Sequence, residues 1–220
     1  MLFAPLDAPP SKITALFLDI GGVLLTNGWG RQSRHKAAET FHLDYAEMDE
    51  RHHLSFNTYE DGKLTLDQYL DQVVFYEPRP FTRQQFREFM FAQSQPFPDM
   101  LKLVRDIKEK NRIRIVLVSN EGRELTNHRV QTFGLTEFVD AFIVSCFVHY
   151  RKPDRDIYAL ALDVAQAQPD QVLYVDDRPL FVQIAVDMGI TSIVHTSYES
   201  TRRTLESVGL IIPEAAPLQA

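Results

Sequence analysis

Three short apolar runs in this chain end in groups that could do chemistry. Ile13–Leu18 runs into Asp19, Ile113–Val118 into Ser119-Asn120, and Gln171–Val175 into Asp176-Asp177. A fourth run, Ala141–Ser145, leads into Arg151-Lys152-Pro153-Asp154. Hard carboxylate oxygens suit Mg²⁺, which takes one or two of them and keeps several waters. A lysine and a hydroxyl could hold phosphate oxygens beside such an ion. Singly, each feature has a plainer reading. An aspartate or a Ser-Asn pair after a strand is commonly a turn or helix cap, Asp-Asp is commonly a solvated loop, and Lys-Pro says almost nothing. The signal is their joint order and placement.

That placement requires elements that bring the four ends to one edge. Each run is a buried strand in pattern, and Thr191–Val194 is a fifth. Helical patterns lie between them: Met100, Val104 and Ile107 share one face, Ile157, Leu160, Ala161 and Val164 another, and Pro179 opens a third helix with Ile184, Ala185 and Met188. Strands alternating with helices predict an α/β fold, a doubly wound parallel sheet covered on both faces. In such sheets ligands bind beyond the carboxyl ends of the strands. Residues 29–95 differ: they hold no convincing strand, but two capping-box patterns, Thr65-Leu66-Asp67-Gln68 and Thr82-Arg83-Gln84-Gln85, and apolar stripes through Leu66, Tyr69, Leu70 and Val73 and through Phe86, Phe89 and Met90. The expected organisation is a core of residues 1–28 and 96–220, interrupted after its first strand by an all-helical module at 29–95.

Composition narrows the function. The 220 residues carry a net charge of −7, which argues against a general nucleic-acid-binding surface. No stretch approaches the ~20 apolar residues of a membrane span. Cys146 is the single cysteine, which excludes an internal disulfide and a multi-cysteine zinc site and fits a cytoplasmic location. Residues 1–12 have no basic leader and are interrupted by three prolines; they read as a disordered arm, and the tail after Pro213 as flexible.

In order and spacing, these motifs resemble the haloacid dehalogenase-like hydrolase superfamily. Asp19-Ile20-Gly21-Gly22-Val23 looks like its first motif, Ser119-Asn120 its second, Arg151-Lys152-Pro153-Asp154 with Ile157-Tyr158 its third, and Tyr174-Val175-Asp176-Asp177-Arg178 its fourth. Tyr59–Thr65 resembles a helix junction in the helical caps of the superfamily. The resemblance implies a Rossmann-like core with a helical cap, and Asp19 as a nucleophile forming an aspartyl-phosphate. It implies Mg²⁺ held by Asp19, the Gly21 carbonyl and Asp177, with Asp176 supporting the metal shell or orienting Lys152. Ser119 and Asn120 would hold phosphate oxygens, and Lys152 would neutralise developing charge. The substrate implied is a small phosphorylated metabolite.

One departure matters. Phosphatases of this superfamily usually carry a second aspartate two positions after the nucleophile, as general acid and base. Here that position is Gly21, as in a branch resembling glucose-1-phosphatase type members. General acid-base help is worth about 10²–10⁴-fold. Three readings follow: a leaving group that departs without protonation, a substitute group among His149, Asn27 and Trp29, or a catalytically weak or inactive protein that binds a phosphorylated ligand or a protein partner. The phosphatase is preferred. A dehalogenase would need no metal, would leave Asp176-Asp177 unexplained and would usually place an aromatic residue where Gly21 stands.

Other residues read as structural. Adjacent His52-His53 point apart on a helix and suit packing or surface, His128 a helix face, and Cys146 a buried position. Arg31, Arg34 and Lys36 read as a solvated helix face. Trp29 either stacks on a substrate ring or packs against the insert, and the flanking Gly28 and Gly30 suit a hinge.

Overall fold

A computed structural model of the chain describes residues 13–212; the readings of the arm and tail lie outside them. The strands are β1 (Ala15–Leu18), β2 (Arg114–Ser119), β3 (Ala141–Val144), β4 (Val172–Asp176) and β5 (Thr191–Val194). They form one all-parallel sheet in the order β3-β2-β1-β4-β5. The helices are α1 (Arg31–Phe41), α2 (Tyr45–Glu60), α3 (Leu66–Val73), α4 (Arg83–Ala92), α5 (Pro98–Asn111), α6 (Arg123–Thr132), α7 (Ser145–Val148), α8 (Arg155–Ala165), α9 (Pro179–Asp187) and α10 (Tyr198–Ser207).

Both sheet faces are covered, so β1 and β4 are buried along their whole length and β2 everywhere but at Arg114. Side chains still alternate. Leu16 and Leu18 face a core with Val104 and Ile107 of α5 and Leu205 of α10. Ala15 and Phe17 face Ile157, Tyr158 and Ala161 of α8 and Ala185 of α9. Central β1 takes a neighbour on each side, which makes its carboxyl end the switch point where the chain's connections diverge and a crevice opens.

α1–α4 lie between β1 and α5 in sequence and close a third apolar cluster around Tyr69, Leu70, Phe86 and Met90. Both expected capping boxes form: Thr65 Oγ1 accepts from Gln68 N at 3.2 Å and Thr82 Oγ1 from Gln85 N at 3.2 Å, with each glutamine reaching back to the cap N–H. The outgoing and returning chains are zipped together, Thr26 N donating to Gln95 O at 2.8 Å and Phe97 N to Leu24 O at 2.9 Å.

Candidate active site

The turn after β1 places Asp19 at the switch point, 7% exposed. Its Oδ1 accepts from Ile20 N at 2.9 Å and lies 3.1 Å from Lys152 Nζ. Lys152 comes from the loop before α8 and is 1% exposed. Its ammonium also donates to Asp176 Oδ2 at 2.6 Å. Asp176, at the end of β4, has little capacity left: Oδ2 also accepts from the Tyr174 hydroxyl and Oδ1 from Arg178 N at 2.7 Å. Asn120 is likewise committed. Its side-chain amide exchanges two 2.8 Å bonds with the backbone of Lys152, while its own N–H makes none of the described backbone bonds outside helices and strands. Asp176 and Asn120 thus hold Lys152 in place from two directions.

Electrostatics follow from that geometry. Burial pushes the Asp19 carboxyl up to about 7; Lys152 opposes this, Asp176 adds to it, and hydrogen bonds from Ser119 and Lys152 pull it back. Burial alone would lower Lys152, but the two carboxylates outweigh it and keep the ammonium charged. Asp177 completes the edge. Its Oδ2 accepts from Asn27 Nδ2 at 3.2 Å, whereas its Oδ1 is buried with no partner. Oxygens of Asp19, Asp176 and Asp177 all lie within 4.8 Å of one another. An orphaned buried carboxylate oxygen in an all-oxygen acidic cluster fits a hard divalent cation. The Gly21 carbonyl accepts none of the turn's described hydrogen bonds, and the turn is otherwise closed by Gly22 N to Leu25 O and Leu25 N to Ile20 O. Gly22 is at φ +77°, and a Cβ there would overlap the Asp177 carboxylate.

Between this edge and the insert lies a cavity of about 370 Å³. Asp19, Gly21, Ser119, Asn120 and Lys152 line one side, and Arg31, Arg34, His52 and Phe56 the other. Contacts across the cavity's edge join the walls. Arg151 bonds Glu60 and donates to Asn57 Oδ1 at 2.7 Å. The ring of Tyr59 lies so close to Gly122 that a Cβ there would overlap it. Arg129 bonds Glu121 and donates to Ser94 Oγ at 3.0 Å and Thr26 O at 2.9 Å.

The substitutes considered for a missing acid do not supply one. His149 is exposed, its Nδ1 is 2.7 Å from Asp61 O, and it is not among the cavity's lining residues. Trp29 is packed rather than free, 4% exposed, edge-on to Phe86, its Nε1 donating to Tyr69 Oη at 2.8 Å. Asn27 Oδ1 is 2.8 Å from where a Cβ on Gly21 would stand, so the space of that side chain is filled by an amide. Gly28 is pinned rather than loose, at φ +27° beneath the Arg129 guanidinium.

Other readings divide. Cys146 is buried, and burial pushes its thiol up to about 12. His128 stacks on Phe91 with centroids 4.6 Å apart. Arg34 corrects the expectation of a solvated face: it is buried, donating to Asp49 Oδ1 at 3.0 Å and to Trp29 O at 3.1 Å. No role was expected of Glu60, Glu121 or Arg129; Glu60 within the Tyr59–Thr65 junction and Glu121 directly after Ser119-Asn120 carried a positional signal, and Arg129 carried none.

A doubly wound parallel sheet with an acidic cluster at its carboxyl edge, facing a wall of inserted helices, defines an α/β protein with a candidate active site at the switch point. The family model described as haloacid dehalogenase-like hydrolase matches residues 13–187, and the chain belongs to that family. Among curated relatives, mouse bifunctional epoxide hydrolase 2 is 32% identical over 143 residues, 63% of this chain and 26% of that protein. The pig protein of that name is 25% identical over 217 residues, 89% of this chain and 39% of its own. The chain thus spans well under half the length of these relatives. Among solved structures, a haloacid dehalogenase family enzyme from Bacteroides thetaiotaomicron, in complex with magnesium and inorganic phosphate, aligns with TM-score 0.71 at 18% identity, covering 84% of this chain and 94% of that one. L-2-haloacid dehalogenase from Xanthobacter autotrophicus aligns with TM-score 0.58 at 18% identity, covering 90% and 84%. These two likenesses concern the fold. No helix among the described residues is long and apolar enough to cross a membrane.

Proposed function

We propose that this protein is a Mg²⁺-dependent phosphomonoester hydrolase acting on a small phosphorylated metabolite through Asp19. The observation that carries this reading is the acidic edge itself: Asp19, Asp176 and Asp177 gathered around an unpartnered Asp177 oxygen, with buried Lys152 alongside. The magnesium complex of the Bacteroides thetaiotaomicron enzyme supports the choice of metal. Asp19, Asp177 and the Gly21 carbonyl would hold the ion, which neutralises charge on the phosphoryl oxygens when bound.

The chain's own residues do the rest. Lys152 and the Ile20 N–H engage Asp19 Oδ1, leaving Oδ2 to attack phosphorus, form the aspartyl-phosphate and expel the leaving group as its oxyanion, which takes its proton from solvent. Water then cleaves the aspartyl-phosphate and releases phosphate, regenerating the carboxylate. The Ser119 hydroxyl and the Asn120 backbone N–H bind phosphoryl oxygens. Lys152, oriented by Asp176 and Asn120, offsets charge in the transition state. The Asn27 amide beside Gly21 has no proton to give at neutral pH. The favoured leaving groups are therefore those that depart unprotonated, such as an acyl phosphate or a sugar 1-phosphate. The helices of residues 29–95 act as the cap over this site.

The test is phosphate release from acyl, sugar and aryl phosphates, with Mg²⁺ and with EDTA, for the wild type and Asp19→Asn. Metal-dependent release that falls on the order of 10⁴-fold in the variant is expected. The amide at Asn27 favours one second reading, a protein that binds a phosphorylated ligand with little turnover. Wild-type release no greater than that of Asp19→Asn on every substrate would replace the first reading with this one.

A further inference from the structure

The chain is acidic overall, with net charge −7, yet its cavity is lined by six basic residues against three carboxylates, Asp19, Glu60 and Glu121. Four of the six are neutralised where they stand. Lys152 is held by Asp19 and Asp176, Arg129 by Glu121, Arg151 by Glu60, and Arg34 by Asp49 at 2.9 Å. That leaves Arg31 and Arg178, which have no carboxylate partner among the described residues. Arg178 follows Asp177, with its guanidinium over the Phe181 ring at 5.7 Å, so its charge belongs to the phosphoryl end. Arg31 opens α1 on the opposite wall.

The same wall carries a second polar group whose state the packing fixes. Trp29 Nε1 donates to Tyr69 Oη, and Tyr69 Oη lies 2.7 Å from His52 Nδ1. The phenolic proton has no other acceptor among the described contacts, so it goes to Nδ1, and the imidazole proton sits on Nε2. Burial, then the charges of Arg34 and His53, depress the imidazole to about 3 against the opposing pull of Asp49, so the ring is neutral. His52 is 4% exposed and lines the cavity, and Nε2 is absent from the buried unpartnered atoms. The N–H therefore opens into the cavity. An unpaired guanidinium and a fixed neutral donor, both lining the cavity on the wall opposite Asp19 and Lys152, make a site for anionic oxygens.

We propose that the substrate carries a second anionic group besides its phosphoryl group, a carboxylate or a second phosphate, held on the helical wall by Arg31 with the His52 Nε2–H. This rests on the phosphatase reading for which end of the ligand reacts, but it is measurable without turnover. Titration calorimetry on Asp19→Asn with Mg²⁺ would compare two matched pairs. 3-Phosphoglycerate against glycerol 3-phosphate isolates a carboxylate; glucose 1,6-bisphosphate against glucose 1-phosphate isolates a second phosphate.

In at least one pair the member with two anionic groups is expected to bind ten-fold or more tighter, and the pair that shows it names the group. Arg31→Gln, at an exposed position, should bring that ratio to within two-fold of one while leaving the member with the phosphoryl group alone unchanged. His52→Gln should reduce it several-fold. Ratios near one in both pairs, or a ratio that Arg31→Gln does not alter, overturn the proposal. Phosphate release by the wild type with ratios near one sinks this inference alone. A ten-fold ratio without release from any substrate sinks the phosphatase reading alone.

Discussion

The two walls of the cavity carry charge in opposite ways. On the sheet side the buried centre is interlocked, with exposed Arg178, unpaired among the described residues, at its margin: Lys152 is 1% exposed and answers Asp19 and Asp176 at once, and Asp176 is itself fully bonded. On the helical side Arg31 is exposed and unpaired among the described residues, at the start of a helix whose buried face is made by other residues. Interlocked buried charges cannot be changed singly without leaving an uncompensated ion in low dielectric. An open rim charge can. The sheet wall thus resists single changes of charge, and the helical rim tolerates them.

The sharpest test of the sheet wall is to add what it lacks. Gly21→Asp alone places its Cβ 2.8 Å from Asn27 Oδ1. Combined with Asn27→Gly, the new carboxyl gains that space, and kcat/KM on glycerol 3-phosphate should rise by about 10²–10⁴-fold. No rise in the double variant would mean that protonation of the leaving group does not limit the rate.

Removing a charge from each wall should separate them by stability. Lys152→Met leaves two buried carboxylates without their cation and should cost about 3–5 kcal/mol in urea unfolding with EDTA present. Arg31→Gln should stay within about 0.5 kcal/mol of wild type. Similar losses would erase the contrast between the walls. The seam between them is next. Gly122→Ala pushes a methyl into the Tyr59 ring and should cost about 1–3 kcal/mol, much of it recovered by adding Tyr59→Leu. Additive losses in that double variant would show that the two positions do not meet.

The remaining prediction concerns pH. Unfolded, His52 titrates near 6.5; folded, burial together with Arg34 and His53 keeps it neutral to about 3. In that window the unfolded chain binds a proton that the folded chain refuses. The associated stability is present above pH 6.5 and is lost as pH falls below it, at up to about 1.4 kcal/mol per pH unit. Urea midpoints at pH 7 and 4.5 should therefore diverge less in His52→Gln than in wild type. Equal divergence would mean that the imidazole charges in place.

The sheet wall was legible in the sequence because parallel strands force it to be. A strand buried on both faces must be apolar along its length and turns polar only at its end, so Asp19, Ser119 and Asp176 announce themselves. Helix starts were legible for a similar local reason, as Thr65 and Thr82 show. The helical wall was not. That Arg34 is buried depends on Asp49 and the Trp29 carbonyl, and that Asn27 fills the space at Gly21 depends on the path of the linker. His149 looked near in sequence to Lys152 but is turned onto Asp61 instead. Such contacts join distant segments whose individual patterns have ordinary readings, and no periodicity encodes them.

The position of β1 also sets the order in which the molecule can be made. Ala15 pairs with Arg114 on one side and Val172 on the other. A chain emerging from the ribosome therefore holds its central strand without either neighbour while the whole helical insert is produced. The insert can condense early, because α2 and α3 are adjacent in sequence and pack closely. The sheet must wait and then close two long loops, a slow step for any chain rich in distant contacts. Asp19 is among the first described residues to be synthesised, and it gains its neighbours Asp176 and Asp177 only when β4 arrives.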